Sequence, residues 1–395
     1  MSFKPKFSQV SNRLENTGTD WWEVHNEALL RRAAGEDITM MSVGDPDLPT
    51  IERTIEHAVT SLYRGRTHYS PGMGELNLRE TIADIETQSS GRVTTPAEII
   101  IFPGATNAIY TVLACLLDTY DELIVTTPSY VGYQGIFQSI GATIVAVETN
   151  ATDGFTINTD NIERAVTDKT KVLLLNTPGN PAGNMITSEQ LRHLAKFCLD
   201  RNIWLVCDEV YSMITFEKKH TSARTAAATL ENVIVVDGLS KSHSMTGWRL
   251  GWTVAPVNVV EKLLSFTSAT IFGCSQFIQD AAAFAMKNDG EYIQSVTREY
   301  RDRRDFACDR IARIEGLSCQ KPEAGMFLMI DISEVATDGA EFASALLAQE
   351  GISVLPGEGF GTITKQFVRL SLTHPIDGLT PCFDKIERFV KTRQH

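Results

Sequence analysis

Five short runs of this sequence carry side chains able to do chemistry, and each stands just past the end of an apolar stretch of strand length. In residues 240–249, Ser240 and Lys241 are followed within one loop by Arg249, a titratable amine beside a fixed cation. In Asp208-Glu209-Val210-Tyr211 a carboxylate closes the apolar run 203–207, a costly place for a charge unless a cation meets it. Asn180 lies in the turn-rich run 176–183, and an Asn amide at a strand end can bond a ring hydroxyl. Tyr130 follows Thr127-Pro128-Ser129, where an aromatic ring could stack on a flat ligand. Gly104, Ala105 and Thr106 join a strand to a helix, where free N–H groups and the positive end of the dipole favour a phosphate. Taken singly, each has an ordinary explanation: a surface lysine, a surface salt bridge, a loop, a tyrosine closing a core, a turn that binds nothing.

Together they fall on one edge. Ligands of open α/β sheets bind at the carboxyl ends of the strands. There these groups make a phosphate cradle, a stacking ring, an amide, a carboxylate, a second tyrosine and a Lys/Arg pair. That is the set a phosphorylated pyridine aldehyde requires.

The elements that must hold these groups in place are legible from apolar periodicity. Strands are predicted at 98–102, 123–126, 143–147, 171–175, 203–207, 233–236 and 252–255. Ala105, Ala108, Ile109, Val112, Leu113 and Leu116 mark one buried helix face, and a helix over 188–200 fills a later gap. Alternation of this kind implies an α/β fold with a mostly parallel, seven-stranded sheet covered on both faces. From about Glu291 a long charged helix leads to strands at 325–332, 352–355 and 367–372, with helices at 340–350 and at the carboxyl end. The division expected is an amino-terminal segment, 1–47, packing on the small domain or on a partner; a large domain, 48–290; and a smaller α+β domain, 291–395.

Bulk properties narrow the function. With 36 Lys and Arg against 49 Asp and Glu the chain carries −13, which disfavours nucleic-acid and anionic-membrane partners. The Arg-rich stretch 298–304 is interleaved with acids and is expected to be a solvated helix face. No apolar run approaches the roughly 20 residues of a membrane span. The amino-terminal stretch has no apolar signal core, and acids at Glu15 and Asp20 do not suit a transit peptide. Seven dispersed cysteines, with no C-x-x-C and no short spacing to His, suit a reducing cytoplasm and argue against a metal site or a disulfide framework. Cys115 and Cys207, inside apolar runs, read as small core residues.

The run SLSKSHSMTGWRLGW, with NPAG and DEVY upstream in the same order, resembles the class I/II aminotransferases of PLP (pyridoxal 5′-phosphate) fold type I. The likeness spans nearly the whole chain, from Val43-Gly44-Asp45-Pro46-Asp47 to Arg369, and takes in the run from Tyr69 to Gly74 followed by Leu78-Arg79. It implies that Lys241 holds PLP as a Schiff base and shuttles the substrate proton, and that Asp208 keeps the pyridine nitrogen protonated. By the same resemblance Tyr211 and Asn180 bond the ring's phenolic oxygen and Tyr130 stacks on the ring. Arg249 holds the phosphate, with the helix start at Gly104, Ala105 and Thr106. Tyr69 is implied to reach the phosphate of a neighbouring subunit, making a homodimer with shared sites. Arg369 is implied to clamp the substrate α-carboxylate, with Gly44 beside it where a side chain would crowd.

Gly238 departs from the pattern, since many relatives carry a hydroxyl residue three positions before the lysine; Ser240 is a candidate substitute. The activity implied is ping-pong transfer of an amino group from an L-α-amino acid to a 2-oxo acid, pyruvate or 2-oxoglutarate. A C–S β-lyase or a cyclopropane-carboxylate synthase would share these motifs. A non-catalytic effector sensor would need a basic DNA-binding segment, for which about 40 acidic-leaning residues before Val43 leave little room. Run for run, the sequence is most similar to bacterial arginine–pyruvate transaminases, while aspartate, alanine and aromatic transaminases share most motifs. A guanidinium donor calls for a carboxylate pair in the pocket. Trp21 and Trp22 are candidates for the pocket wall, with plain packing as the alternative.

Overall fold

The computed structural model describes residues 5–15 and 19–393; residues 1–4 and 16–18 of the expected amino-terminal segment, and 394–395, lie outside it. The strands in chain order are β1 (Thr39–Met40), β2 (Ile99–Phe102), β3 (Glu122–Thr127), β4 (Thr143–Glu148), β5 (Thr170–Asn176), β6 (Trp204–Asp208), β7 (Val233–Gly238) and β8 (Gly251–Val254). Then follow β9 (Ser318–Cys319), β10 (Phe327–Asp331), β11 (Ile352–Ser353), β12 (Leu355–Pro356) and β13 (Phe367–Ser371).

The large sheet has seven strands in the order β2-β8-β7-β6-β5-β3-β4. β8 runs antiparallel to both its neighbours, and every other pairing is parallel. Its central strands are apolar on both faces because helices cover both. Val172, Leu174, Val206, Ile234 and Val236 pack against Ala108, Ile109, Val112 and Leu113 of the helix Ala105–Leu116. Leu173, Leu175, Leu205 and Val235, one residue out of phase, meet Leu191, Leu194 and Cys198 of the helix Ser188–Asp200 on the other side. Each such fully buried aliphatic side chain contributes about 1.5–3 kcal/mol. The Ser188–Asp200 helix starts where Thr187 accepts from the Gln190 N–H at 3.2 Å while the Gln190 side chain accepts from the Thr187 N–H at 3.0 Å.

The four-stranded sheet β12-β13-β10-β9 is antiparallel. Its core draws on Ile311 of the helix Gly290–Ile311, Phe342 and Leu346 of Gly339–Glu350, and Phe383 and Phe389 of Ile376–Lys391. Val24 and Ala28 of the helix Glu23–Ala33 enter the same core, and β1 pairs with β11. No described helix is long and apolar enough to cross a membrane.

Two expectations are corrected. The single strand expected at 352–355 is two: β11 pairs with β1 and β12 with β13, the chain changing sheets at the buried Val354. The Arg-rich stretch is not simply a solvated face, because Arg303 and Arg304 are among the largest fully buried side chains. Arg303 forks onto Asp47 at 2.7 and 2.9 Å, and Arg304 meets Glu217 at 2.5 Å and the Pro322 carbonyl at 2.8 Å. Burial of a guanidinium is tolerable when its fork is filled in this way.

Candidate active site

Strand order reverses between β3 and β5, and the carboxyl ends around that switch gather the reactive side chains. Asp208 ends β6, in register with Asn176 at the end of β5 and with Val236 on β7. It is 5% exposed, so burial pushes its carboxyl up to about 6, against the opposing pull of the Tyr133 hydroxyl and the Val210 N–H. Tyr133 donates to Asp208 Oδ2 at 2.5 Å, and the Val210 N–H reaches Oδ1 at 3.2 Å. Burial, then Asp208 itself, drives the Tyr133 phenol far above its ordinary range, so it stays a donor.

Lys241 follows β7 and points its amine at the Gly44 carbonyl, 2.6 Å away. Burial pulls its pKa down to about 8; Asp45 opposes, while Arg369 and Arg249 add to the fall. About a tenth of such an amine is neutral at pH 7, against a negligible share of an ordinary lysine, and neutral is the state in which it can attack a carbonyl or accept a proton.

Arg369 of β13 is 2% exposed, and burial lowers its pKa to about 10. Its guanidinium donates to Asn180 Oδ1 at 2.9 Å and to the Ser42 carbonyl at 2.6 Å, and lies 4.1 Å from the centre of the Phe327 ring. Among the described residues no carboxylate pairs with it, and its Nε has no partner. A buried cation left this way suits an incoming carboxylate. Asn180 is held in turn by its N–H to Asn176 Oδ1 at 2.7 Å.

At the opposite end Gly104 caps the helix Ala105–Leu116 with φ +94°. A Cβ there would stand 2.5 Å from Arg249 Nη2, so the guanidinium lies over the helix start. Arg249 is exposed, donates to the Thr246 carbonyl at 2.8 Å, and among the described residues pairs with no acid. Helix N–H groups and a free guanidinium together form an anion cradle. Gly238 has its own constraint: a Cβ would come 2.9 Å from the Leu250 carbonyl and 3.2 Å from the Gly251 Cα. The tight β7–β8 pairing thus excludes a hydroxyl side chain, and Ser240 is the residue that lines the cavity nearby.

Of the residues singled out for cofactor and substrate, all but Gly104, Tyr69 and Trp21 line one cavity of about 460 Å³. Tyr211 is 3% exposed, with its phenol pushed up mainly by burial, and its ring stands 6.0 Å from Phe327. Tyr130 stands edge-on to Tyr133 at 5.4 Å. Gly44 lies where expected but for a further reason: a Cβ would fall 2.2 Å from the Phe327 ring. The two tryptophans divide, Trp22 lining the cavity and Trp21 packing on Gly359. Tyr69, 81% exposed, is not with the others in its own chain; it stands edge-on to Phe272 in a separate hollow.

Sequence inspection missed Tyr133 and Phe327. Tyr133 repeats Tyr130 at i+3, a usable signal; Phe327 is one apolar residue among several in its strand and gave none. Beyond Asp208 the cavity wall holds one carboxylate, Asp45, whose Oδ1 accepts from Thr246 at 2.6 Å. The carboxylate pair sought for a guanidinium is therefore not formed by this wall. No cluster of His, Cys, Asp or Glu among the described residues could hold a metal ion.

The residues fit pyridoxal 5′-phosphate. Among the described residues Asp208 is a buried acid with no cationic partner at hydrogen-bonding distance, Arg249 lies over the helix start at Gly104, and Lys241 is an amine of lowered pKa in the same cavity.

Comparison with known proteins agrees. The family profile described as "Aminotransferase class I and II" matches residues 36–386. An arginine–pyruvate transaminase of Pseudomonas aeruginosa is 35% identical over 367 residues, 93% of each chain. An aspartate aminotransferase of Bacillus subtilis is 33% identical, covering 91% of this chain and 93% of its own. The solved aspartate aminotransferase of Thermus thermophilus with maleate superposes with a TM-score of 0.92 at 30% identity, covering 98% of this chain and 100% of its own.

Proposed function

The chain belongs to the class I and II aminotransferase family and is a PLP-dependent aminotransferase, and from that premise we propose how its residues divide the work. The observation that carries the assignment is Lys241, a buried amine with its pKa pulled down to about 8, sharing one cavity with Asp208 and with an Arg369 that no carboxylate among the described residues pairs with. Bound there, the cofactor supplies an electron-withdrawing ring that makes the substrate Cα proton acidic. Lys241 anchors the cofactor between turnovers and, once freed, takes the Cα proton and hands it on. Asp208, steadied by the Tyr133 hydroxyl, would hold the ring nitrogen in its protonated form. Arg249 and the N–H groups at Ala105 and Thr106, with Ser240 alongside, hold the phosphate. Tyr130 stacks on the ring, and Tyr211 and Asn180 bond its phenolic oxygen. Arg369 receives the substrate α-carboxylate on a fork already oriented by Asn180 and Ser42, with Gly44 clearing the space.

The substrates proposed are an L-α-amino acid donor and pyruvate or 2-oxoglutarate as acceptor, in ping-pong order. Arginine, aspartate, alanine and the aromatic amino acids are the donors to test, and arginine is favoured by the likeness to the arginine–pyruvate transaminase. A homodimer with shared sites is supported by the outward placement of Tyr69 and Phe272, 81% and 60% exposed. A cytoplasmic location is supported by seven free cysteines, and the division at 48–290 and 291–395 is the domain organisation proposed.

The test is an absorbance scan of the PLP-loaded enzyme during addition of single amino acids. Conversion to the pyridoxamine spectrum, reversed by pyruvate or 2-oxoglutarate, names the donor and acceptor. Accumulation of ammonia without an acceptor would replace transamination by β-elimination.

A further inference from the structure

The helix Gly290–Ile311 and the segment that follows it run back along each other in matched steps. Arg304 Nη1 donates to the Pro322 carbonyl at 2.8 Å, and Asp305 meets Lys321 Nζ at 2.8 Å. One turn further along the helix, Cys308 comes against β9, where Cys319 packs on the same apolar core. Cys319 is itself fixed by strand pairing with Ile330 of β10. Both cysteines are partly open to solvent, and neither lines the cavity of the proposed active site.

Cationic flanks and a donating thiol favour a thiolate at Cys308. The Cys319 S–H lowers the Cys308 pKa, and Arg304 and Lys321 lower it further, against burial and Asp305, which raise it. The other cysteines differ. Cys198, Cys207 and Cys382 are buried, and burial pushes up the half-buried Cys115 and the Cys274 thiol, the latter to about 11.

We propose that Cys308 and Cys319 form a reversible dithiol–disulfide site, a redox-modification centre for peroxides that lies outside the cavity. Cys308 gives its proton to solvent, and its sulfur attacks one peroxide oxygen. The O–O bond breaks, hydroxide leaves and takes up that proton as water, and Cys308 becomes a sulfenic acid. The Cys319 sulfur then attacks the Cys308 sulfur, the S–O bond breaks, and the departing hydroxide leaves with the Cys319 proton as a second water. Two thiols lose two electrons and the peroxide gains them. The link joins a helix whose Arg303 holds Asp47 to the sheet whose β10 carries Phe327 beneath Arg369.

The experiment treats the holoenzyme with hydrogen peroxide, caps free thiols with iodoacetamide and maps the unreduced peptides by mass spectrometry. The expected result is one cross-linked pair joining Cys308 to Cys319, with two hydrogens lost from the intact mass and full reversal by dithiothreitol. Recovery of both as capped thiols, as separate sulfinic or sulfonic acids, or in links to other cysteines overturns the proposal. The mapping is done on the wild-type chain, so it does not depend on any variant folding. Cys308→Ser and Cys319→Ser should abolish the link and keep wild-type turnover. Before oxidation Cys308 should be capped several-fold faster than Cys115 and Cys274, and equal rates count against it.

Discussion

Replacing Tyr133 by Phe removes one oxygen from the wall behind Asp208. The lost hydroxyl donates at 2.5 Å to a carboxylate that is 5% exposed, from a tyrosine that is itself 1% exposed. In the cofactor-free enzyme burial carries Asp208 from the ordinary 3.8 to about 6. At about 1.4 kcal/mol per pKa unit that rise is worth about 3 kcal/mol. A hydrogen bond to a charged group contributes about 1.5–3 kcal/mol and a neutral one about 1 kcal/mol. Ionised Asp208 therefore loses about 0.5–2 kcal/mol more than the protonated acid, which lifts its pKa by roughly one unit, to about 7.

The sign follows from proton binding. Folded Asp208 holds its proton more tightly than the unfolded chain does, so its contribution is fully present below the ordinary carboxylate pKa. It is lost as pH rises from about 4 to about 6. In Tyr133→Phe the loss continues to about 7, and the gap from wild type widens from about 1 kcal/mol in acid to about 2–3 kcal/mol above neutrality. Urea unfolding of both cofactor-free proteins across this pH range reads the gap directly. Below about pH 6, where holding a protonated pyridine nitrogen requires Asp208 to give up its proton, the variant should also bind PLP about tenfold more weakly. A gap that does not change with pH, or an unchanged PLP affinity, would refute the reasoning.

Two further outcomes concern the cations. Attachment of added PLP to the cofactor-free enzyme needs the neutral Lys241 amine, whose pKa is pulled to about 8. Its rate should climb about tenfold per pH unit below that value and level above it, as read by stopped-flow absorbance; a flat rate would mean that another group limits attachment. Arg369→Gln should lower kcat/KM for amino acids by about 10–100-fold, the equivalent of a charge-assisted bond of about 1.5–3 kcal/mol, while PLP affinity stays unchanged. Arg369→Lys should not restore it, because an ammonium lacks the fork, and full recovery would deny Arg369 the carboxylate role.

Much of the fold is local and was therefore legible. Val172 to Leu175 are apolar on both faces because two helix layers cover β5, and the run shows it without reference to its neighbours. Residues 188–200 form the expected helix because their periodicity and the Thr187–Gln190 cap lie within a single stretch. The failures share a cause. Arg303 and Arg304 look solvated in sequence, yet their partners Asp47, Glu217 and Pro322 lie in distant runs. Residues 352–355 look like one strand because nothing local records that β1 and β13 compete for them.

The sequence by itself determined the chemical inventory: Lys241, Asp208, Asn180 and Arg249 each close or follow an apolar run, which places them near strand ends whatever the order of the strands, and Arg369 interrupts an apolar strand. Tertiary structure alone decided who meets whom. Tyr133 finds Asp208, Lys241 finds Gly44, and Arg369 finds Asn180 and Phe327 across separations that no local pattern spans. The physical reason is that periodicity encodes which face of an element is buried, whereas strand order and sheet-to-sheet packing decide what lies on the other side. The lowered lysine pKa and the raised aspartate pKa follow from that packing, since desolvation belongs to the assembled cavity and to no residue alone.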